Sequence, residues 1–233
     1  MKLWVIVPTA GSGQRMKSDV PKPFLKLAGV PVIVRTLRAF ESCPAVAGVV
    51  VVGQEDILED FRAAISAEGL RKVRAVVPGG ATRTQSVRNG LKALPGDVDL
   101  VMVHDGVRPL VTARMIEDGA RIAEESGAAV AAVPVKPTLK VVDPRSELIT
   151  ETLDRTLVWE IQTPQVFRRE LLDRAYGGDE NATDDAALVE KLGVPVKIYM
   201  GDPRNIKITT PEDLVIAEAL LRSSGIERLA TNG

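Results

Sequence analysis

Apolar residues in the first half of the chain gather in short unbroken runs, separated by segments in which they recur at helical spacing. Leu3 with Val5 to Val7, Val49 to Val52 and Leu100 to Val103 are three such runs, and Val73 to Val77 is a fourth interrupted only by Arg74. A run without polar alternation is what a strand covered on both faces requires, and Pro8, which cannot donate to a ladder, is expected to end the first one. Between the runs, Ile33, Leu37 and Phe40 follow Pro31 at helical spacing, and Ile57, Leu58, Phe61, Ala64 and Ile65 do so before Gly69. Val87 and Leu91 open another helical pattern, Ile116, Ala120 and Ala123 a further one, and Ala128 to Val133 reads as one more buried strand. The β-α-β-α-β order predicts an α/β fold with a doubly wound, mostly parallel sheet. In such sheets ligands bind at the carboxyl ends of the strands.

The pattern changes after residue 133. Thr138 to Val142 and Leu148 to Leu153 are strand-like segments around Asp143-Pro144-Arg145-Ser146, a hairpin turn; this insertion, at about 137–154, is expected to project as an arm. Asp154-Arg155, Trp159 and Gln162-Thr163-Pro164-Gln165 follow without a clear period. Helices are expected near Glu170 to Tyr176 and Asp185 to Lys191, a strand at Val196 to Tyr199, then Asn205-Ile206-Lys207-Ile208-Thr209. Thr210 and Pro211 open a last helix as cap and first residue. No repeat, low-complexity tract or linker divides residues 1–233, so one domain is expected, with a frayed tail after Ser223.

Three strand ends carry candidate chemistry. Pro8-Thr9-Ala10-Gly11-Ser12-Gly13 follows the first strand, and its two glycines permit backbone N–H groups to turn inward on phosphate oxygens. Arg15 and Lys22 add cations, and Pro21 and Pro23 stiffen the chain around Lys22. The plainer alternative is a flexible surface loop. Met16 at the third glycine position disfavours a dinucleotide fingerprint, and no G-K-[ST] follows for a Walker A loop. The third strand runs into Pro78-Gly79-Gly80-Ala81-Thr82, with Arg83 and Ser86 placed to meet a base or ribose, the alternative being a capped connection only. The fourth strand ends in His104-Asp105-Gly106-Val107-Arg108. His104 is the only histidine and reads as structural, whereas Asp105 at a strand tip is placed to hold Mg²⁺ or another divalent cation, or else to cap a turn.

Composition narrows the classes. At 45% hydrophobic but 3% aromatic, the core must be built from Val, Ile, Leu and Ala. A formal net charge of −1 argues against broad electrostatic contact with nucleic acid or a membrane. One cysteine, Cys43, excludes an internal disulfide and a cysteine-built metal site. The apolar stretch before Pro8 is too short for a signal peptide, and no run approaches the ~18 residues of a membrane span, so a cytoplasmic location is expected.

P-T-A-G-S-G-Q-R-M with P-K, G-G-A-T-R-T-Q-S-V, V-H-D-G-V-R-P, T-L-K, L-D-R-T, Q-T-P-Q-V-F and N-I-K-I-T with P-E-D-L are collinear across nearly the whole chain. Together they resemble the 2-C-methyl-D-erythritol 4-phosphate cytidylyltransferase family. The family pattern usually has alanine where Thr9 and Gly106 stand here, a difference expected to retune the site rather than abolish it. The resemblance implies a Rossmann-like nucleotidyltransferase fold, a homodimer, and reaction of CTP with methylerythritol phosphate in the non-mevalonate isoprenoid pathway. It implies that Arg15, Lys22 and Lys207 are catalytic. Pro8, Thr9, Ala10, Gly11, Gly13, Gly79, Gly80, Arg83, Ser86, Asp105 and Gly106 would line the nucleotide, with Asp105 beside Mg²⁺. Arg108, Thr138, Arg155 and Lys207 would bind the phosphoalcohol, Thr138 and Arg155 coming from the neighbouring subunit. A phosphate monoester, with a second pKa near ~6, is largely a dianion at neutral pH and attacks without a general base. Rival expectations are a ribitol 5-phosphate cytidylyltransferase and a nonenzymatic nucleotide-binding protein; the full set Arg15, Lys22, Asp105 and Lys207 disfavours the second.

Overall fold

The computed structural model describes residues 1–9, 20–178 and 181–223. The expected strands and helices of the first half form. Strand β1 (Leu3–Pro8) leads to a short hairpin, β2 (Lys26–Leu27) and β3 (Val30–Pro31), then α1 (Val32–Ser42) and β4 (Val46–Gly53). Next come α2 (Leu58–Ala67), β5 (Val73–Pro78), α3 (Arg83–Lys92), β6 (Leu100–Val103), α4 (Ala113–Ser126) and β7 (Ala128–Pro134). The arm is the antiparallel pair β8 (Lys140–Val142) and β9 (Ile149–Thr152). The chain returns through β10 (Trp159–Arg168), α5 (Arg169–Ala175), α6 (Asp185–Glu190), β11 (Lys197–Met200) and α7 (Pro211–Ser223).

Seven strands make one sheet in the order β11-β7-β10-β6-β1-β4-β5. All pairings are parallel except those of β10, which runs antiparallel between β6 and β7. Pro8 is the last residue of β1, as expected; it lies opposite Val52, and its carbonyl accepts a bond from Gly106 N at 3.2 Å. The irregular Trp159 to Gln165 stretch is a central strand, whose register slips between Ile161 and Gln165.

Residues alternate between the two faces of the sheet. Val5, Val7, Val49, Val51 and Met102 pack with Leu37, Phe40, Phe61, Met115 and Ile116 on one side. Ile6, Val50, Val52, Val101 and Val103 pack with Val87, Leu91, Leu172 and Val189 on the other. Close approach is needed under α3, where a Cβ on Gly90 would stand 2.6 Å from Ile6 Cγ2. From β1 the chain steps outward through β4 to β5, then returns to the other side of β1 as β6. The carboxyl ends of β1 and β6 therefore flank the topological switch point, the place where an open α/β sheet leaves a crevice for a ligand.

Phe61 is fully buried, its ring centred 4.8 Å from that of Phe24 and tilted 42° to it, and reaches the backbone at Gly53, where a Cβ would lie 2.5 Å from its Cε2. Phe61→Ala is expected to lower stability by about 3 to 5 kcal/mol, the usual cost of removing a fully buried aromatic ring. Chemical denaturation measures this; a loss under about 1 kcal/mol would mean that the site repacks.

Candidate active site

At the switch point, Thr9 N and Oγ1 both donate to Val52 O, at 2.8 and 2.9 Å, which ties the end of β1 to β4. Ala10, Gly11, Gly13 and Arg15 lie outside the described residues. Lys22 lies beyond them in a half-buried turn that Pro21 enters and Pro23 anchors in the core. The second glycine turn is braced from within. Gly79 N donates to Gly53 O at 2.7 Å, and Gly80 N to Ser86 Oγ at 3.1 Å, while Ser86 Oγ donates to Thr82 O. Thr82 caps α3 by accepting from Gln85 N at 3.1 Å, and Gln85 Oε1 accepts in return from Ala81 N. This reciprocal arrangement fixes the entry to α3 and so aims Arg83.

Arg83 reaches two carboxylates: Nη2 lies 2.6 Å from Asp185 Oδ2 and Nε 3.6 Å from Asp105 Oδ1. Asp105 Oδ2 receives Lys207 Nζ at 2.8 Å and faces Arg108 Nε at 3.6 Å. Burial by itself would raise the Asp105 pKa; Lys207, Arg83 and Arg108 together outweigh it and hold the carboxyl well below the usual range. Asp185 is fully buried and also accepts from Tyr176 Oη. Burial and that carboxylate push the Tyr176 phenol up, so it remains a donor. Among the described residues three cations thus gather on Asp105 at the mouth of the crevice, with Asp185 behind Arg83 and the Glu160 carboxylate acting on Arg108.

Lys207 arrives there because its neighbours are pinned. Ile208 N donates to Val107 O at 2.9 Å and its side chain is buried against Leu27, Val32 and Val107. Asn205 is fully buried; its Nδ2 donates to Thr163 O at 2.8 Å and its carbonyl accepts from Arg108 Nη1 at 2.7 Å. Thr163, in the irregular part of β10, accepts from Asp105 N and lies 3.1 Å from His104 Nδ1, while His104 Nε2 lies 3.1 Å from Arg108 O. The network therefore assigns the Nε2–H tautomer, with Thr163 Oγ1 donating to Nδ1. Burial is the main reason that the His104 pKa falls to about 4, so the ring is neutral at pH 7 and structural, as the sequence reading has it.

The structure brings Arg83, Asp105, Arg108 and Lys207 into one cluster, sets Gly106 against Thr9 and Pro8, and puts Gly79, Gly80 and Ser86 on the neighbouring turn. Thr138 and Arg155 are not in that cluster; both are exposed on the arm, where Arg155 Nη1 donates to Lys136 O at 3.0 Å. Asp185, Thr163 and Asn205 were not singled out from the sequence, because buried polar partners declare themselves only through their contacts.

No group of three metal-ligating side chains occurs among the described residues. One carboxylate beside cations does not make a protein cage for a divalent ion. It fits an ion that arrives with a polyphosphate and takes most of its ligands from phosphate oxygens and water.

The 2-C-methyl-D-erythritol 4-phosphate cytidylyltransferase family model matches residues 3–223. The chain is 46% identical over 220 residues to the bifunctional enzyme IspD/IspF of Desulfotalea psychrophila, covering 94% of this chain and 56% of that one. It is 43% identical over 227 residues to a 2-C-methyl-D-erythritol 4-phosphate cytidylyltransferase of Alkaliphilus oremlandii, covering 95% and 96%. A crystal structure of 4-diphosphocytidyl-2C-methyl-D-erythritol synthase from Anaerococcus prevotii superposes with a TM-score of 0.83 at 29% identity, covering 95% of this chain and 96% of that one.

His104 gives a pH prediction. Its folded pKa of about 4 lies below the ordinary 6.5, so the unfolded chain takes up the proton first. The stability is complete above the unfolded value and is lost as pH falls from about 6.5 toward 4, by roughly 3 kcal/mol in all. Denaturation of the chelator-treated protein from pH 7 to 4.5 measures the slope, and His104→Gln should flatten it. An unchanged slope in that variant would assign the effect to carboxylates.

Proposed function

The chain belongs to the 2-C-methyl-D-erythritol 4-phosphate cytidylyltransferase family, and on that premise we propose how its residues transfer the cytidylyl group of CTP to methylerythritol phosphate. It is a nucleotidyltransferase of the isoprenoid pathway; a ribitol phosphate specificity is not favoured by the relatives. The observation that carries the assignment is the convergence of Lys207, Arg83 and Arg108 on Asp105 at the switch point.

In this reading the glycine loop after Thr9 cradles the triphosphate, with Arg15 and Lys22 as clamps. Gly79, Gly80, Arg83 and Ser86 line the cytidine. Arg83 is held between Asp105 and Asp185, so its guanidinium is already oriented when the nucleotide enters. Lys207, 41% exposed, faces both Asp105 and the mouth, and with Arg108 it receives the phosphate of the alcohol. That phosphate attacks the α-phosphorus as a dianion; the new P–O bond forms as the bond to pyrophosphate breaks, with no proton to remove. What the protein supplies is alignment and fixed positive charge against two mutually repelling anions. Asp105 is the side chain that would meet a Mg²⁺ carried by the triphosphate. When bound, the ion neutralises phosphate oxygens and polarises the phosphoryl group.

The arm supports a homodimer. Leu148 and Ile149 are 66% and 61% exposed, and a two-stranded ribbon is marginal in water without a surface to pack on. We place Thr138 and Arg155 over the partner's site. A protein without a membrane-crossing helix among the described residues is proposed to work in the cytoplasm.

Pyrophosphate release from each nucleoside triphosphate, with methylerythritol and ribitol phosphates as acceptors, tests the reaction; only CTP with methylerythritol phosphate is expected to turn over well. Lys22→Ala should lower kcat by roughly a hundred- to a thousandfold with little change in Tm, and Lys207→Ala by a similar factor together with a fall in Tm, because buried Asp105 loses its nearest cation. Near-normal turnover at saturating substrate would remove the residue from its role.

Shared sites are tested by mixing Arg155→Ala with Lys22→Ala chains. If the arm serves its partner, a mixed dimer holds one doubly damaged and one intact site, and activity rises well above either parent. Absence of recovery in verified mixed dimers would return the arm to its own subunit.

A further inference from the structure

Thr9 and Gly106 face each other across the switch point, one at the end of β1 and the other just past β6. Gly106 N donates to Pro8 O at 3.2 Å, and Gly106 O accepts from Thr36 Oγ1 at 3.0 Å, so its backbone is fixed from two sides. A Cβ at this position would stand 3.0 Å from Ile33 Cδ1 and 3.1 Å from Val7 Cγ1, and would run into Thr9 Cγ2 inside van der Waals distance. Val7 and Ile33 are buried and close-packed, and would each have to yield only a few tenths of an ångström, whereas Thr9 Cγ2 would have to move outright. The Thr9 methyl occupies the space that a side chain at 106 would take.

Nor can that methyl turn aside. A β-branched residue has few χ1 wells, and rotating Thr9 would break the 2.9 Å bond from Oγ1 to Val52 O. The hydroxyl therefore sets the rotamer, and the rotamer sets where the methyl presses. We infer that Thr9 is a positioning residue of the nucleotide site: its methyl, seated on Gly106, fixes the separation between the start of the glycine loop and the Asp105 tip. This rests on the functional reading above, in which the triphosphate spans those two loops. Thr9 and Gly106 act as one unit, in which a second methyl at 106 is tolerated only if the first is removed from 9.

Three variants separate methyl from hydroxyl. Gly106→Ala adds the clash. Thr9→Ser with Gly106→Ala removes the methyl but keeps the bond to Val52, and Thr9→Val with Gly106→Ala keeps the methyl but loses the bond. Since an ångström of misplacement costs about a hundredfold, Gly106→Ala should lower kcat/KM for CTP by about that factor, measured well below its Tm. The serine double variant should regain about tenfold of the loss, and the valine one none. Tm without nucleotide should follow the same order; that arm tests the contact even if the unaltered protein releases no pyrophosphate from CTP, a result that would sink the functional reading alone. If Gly106→Ala does not fold, the two double variants are compared directly. The inference is overturned if folded Gly106→Ala keeps kcat/KM near that of the unaltered protein while only Tm falls. It is equally overturned if serine and valine rescue alike, or if the serine double variant fails to fold.

Discussion

A buried carboxylate is tolerable only where opposite charge is brought to it, and Asp105 imposes that condition on half of the chain. Lys207, Arg83 and Arg108 come from three separate stretches, and each is delivered by its own scaffold: the pinned Asn205 to Ile208 segment, the capped start of α3, and the turn after β6. Breaking such a cluster by removing one partner is far more costly than its net contribution suggests, because the remaining charges stay buried. The cations are thus assembled before substrate arrives, and the reorganisation that water would demand of them has been met during folding.

Polar groups behind the cluster repeat the same logic at lower charge. Gln165 Oε1 accepts from Asp185 N and Ala186 N, which presents Asp185 to Arg83. Thr163 satisfies Asp105 N and His104 together. The irregular middle of β10 is therefore the hub on which the acidic tips of β6 and α6 are both aligned. A low internal dielectric strengthens each of these bonds and makes each missing partner expensive.

Much of this was legible from residue order. Unbroken valine and isoleucine runs mark strands covered on both faces, and Val49 to Val52 became the centre of β4. Glycines and charges at strand ends pointed to Asp105 and Arg83, with a plain capping role as the alternative, whereas Lys207 was singled out only through the family resemblance. What escaped was β10, whose Gln162, Thr163 and Gln165 look like loop residues but are 2%, 4% and 1% exposed. Their side chains are satisfied by contacts far along the chain, and no local period encodes that. The β2–β3 hairpin was missed for a simpler reason. Its turn uses Ala28 and Gly29, both at positive φ, where Asn-Gly would have announced it. Thr9 and Gly106 were visible only as two separate departures from a family pattern, and their contact makes them one.

The base of the arm is closed by the sheet itself. Trp159 pairs with Pro134, and Val135 N donates to Val158 O at 3.2 Å, so the chain leaves and re-enters at adjacent points. Everything between is outside the register that aligns β7 with β10. Residues can then be inserted into or deleted from the ribbon without shifting a single ladder bond in the sheet, which frees its length and tip to drift among relatives while the catalytic frame stays fixed.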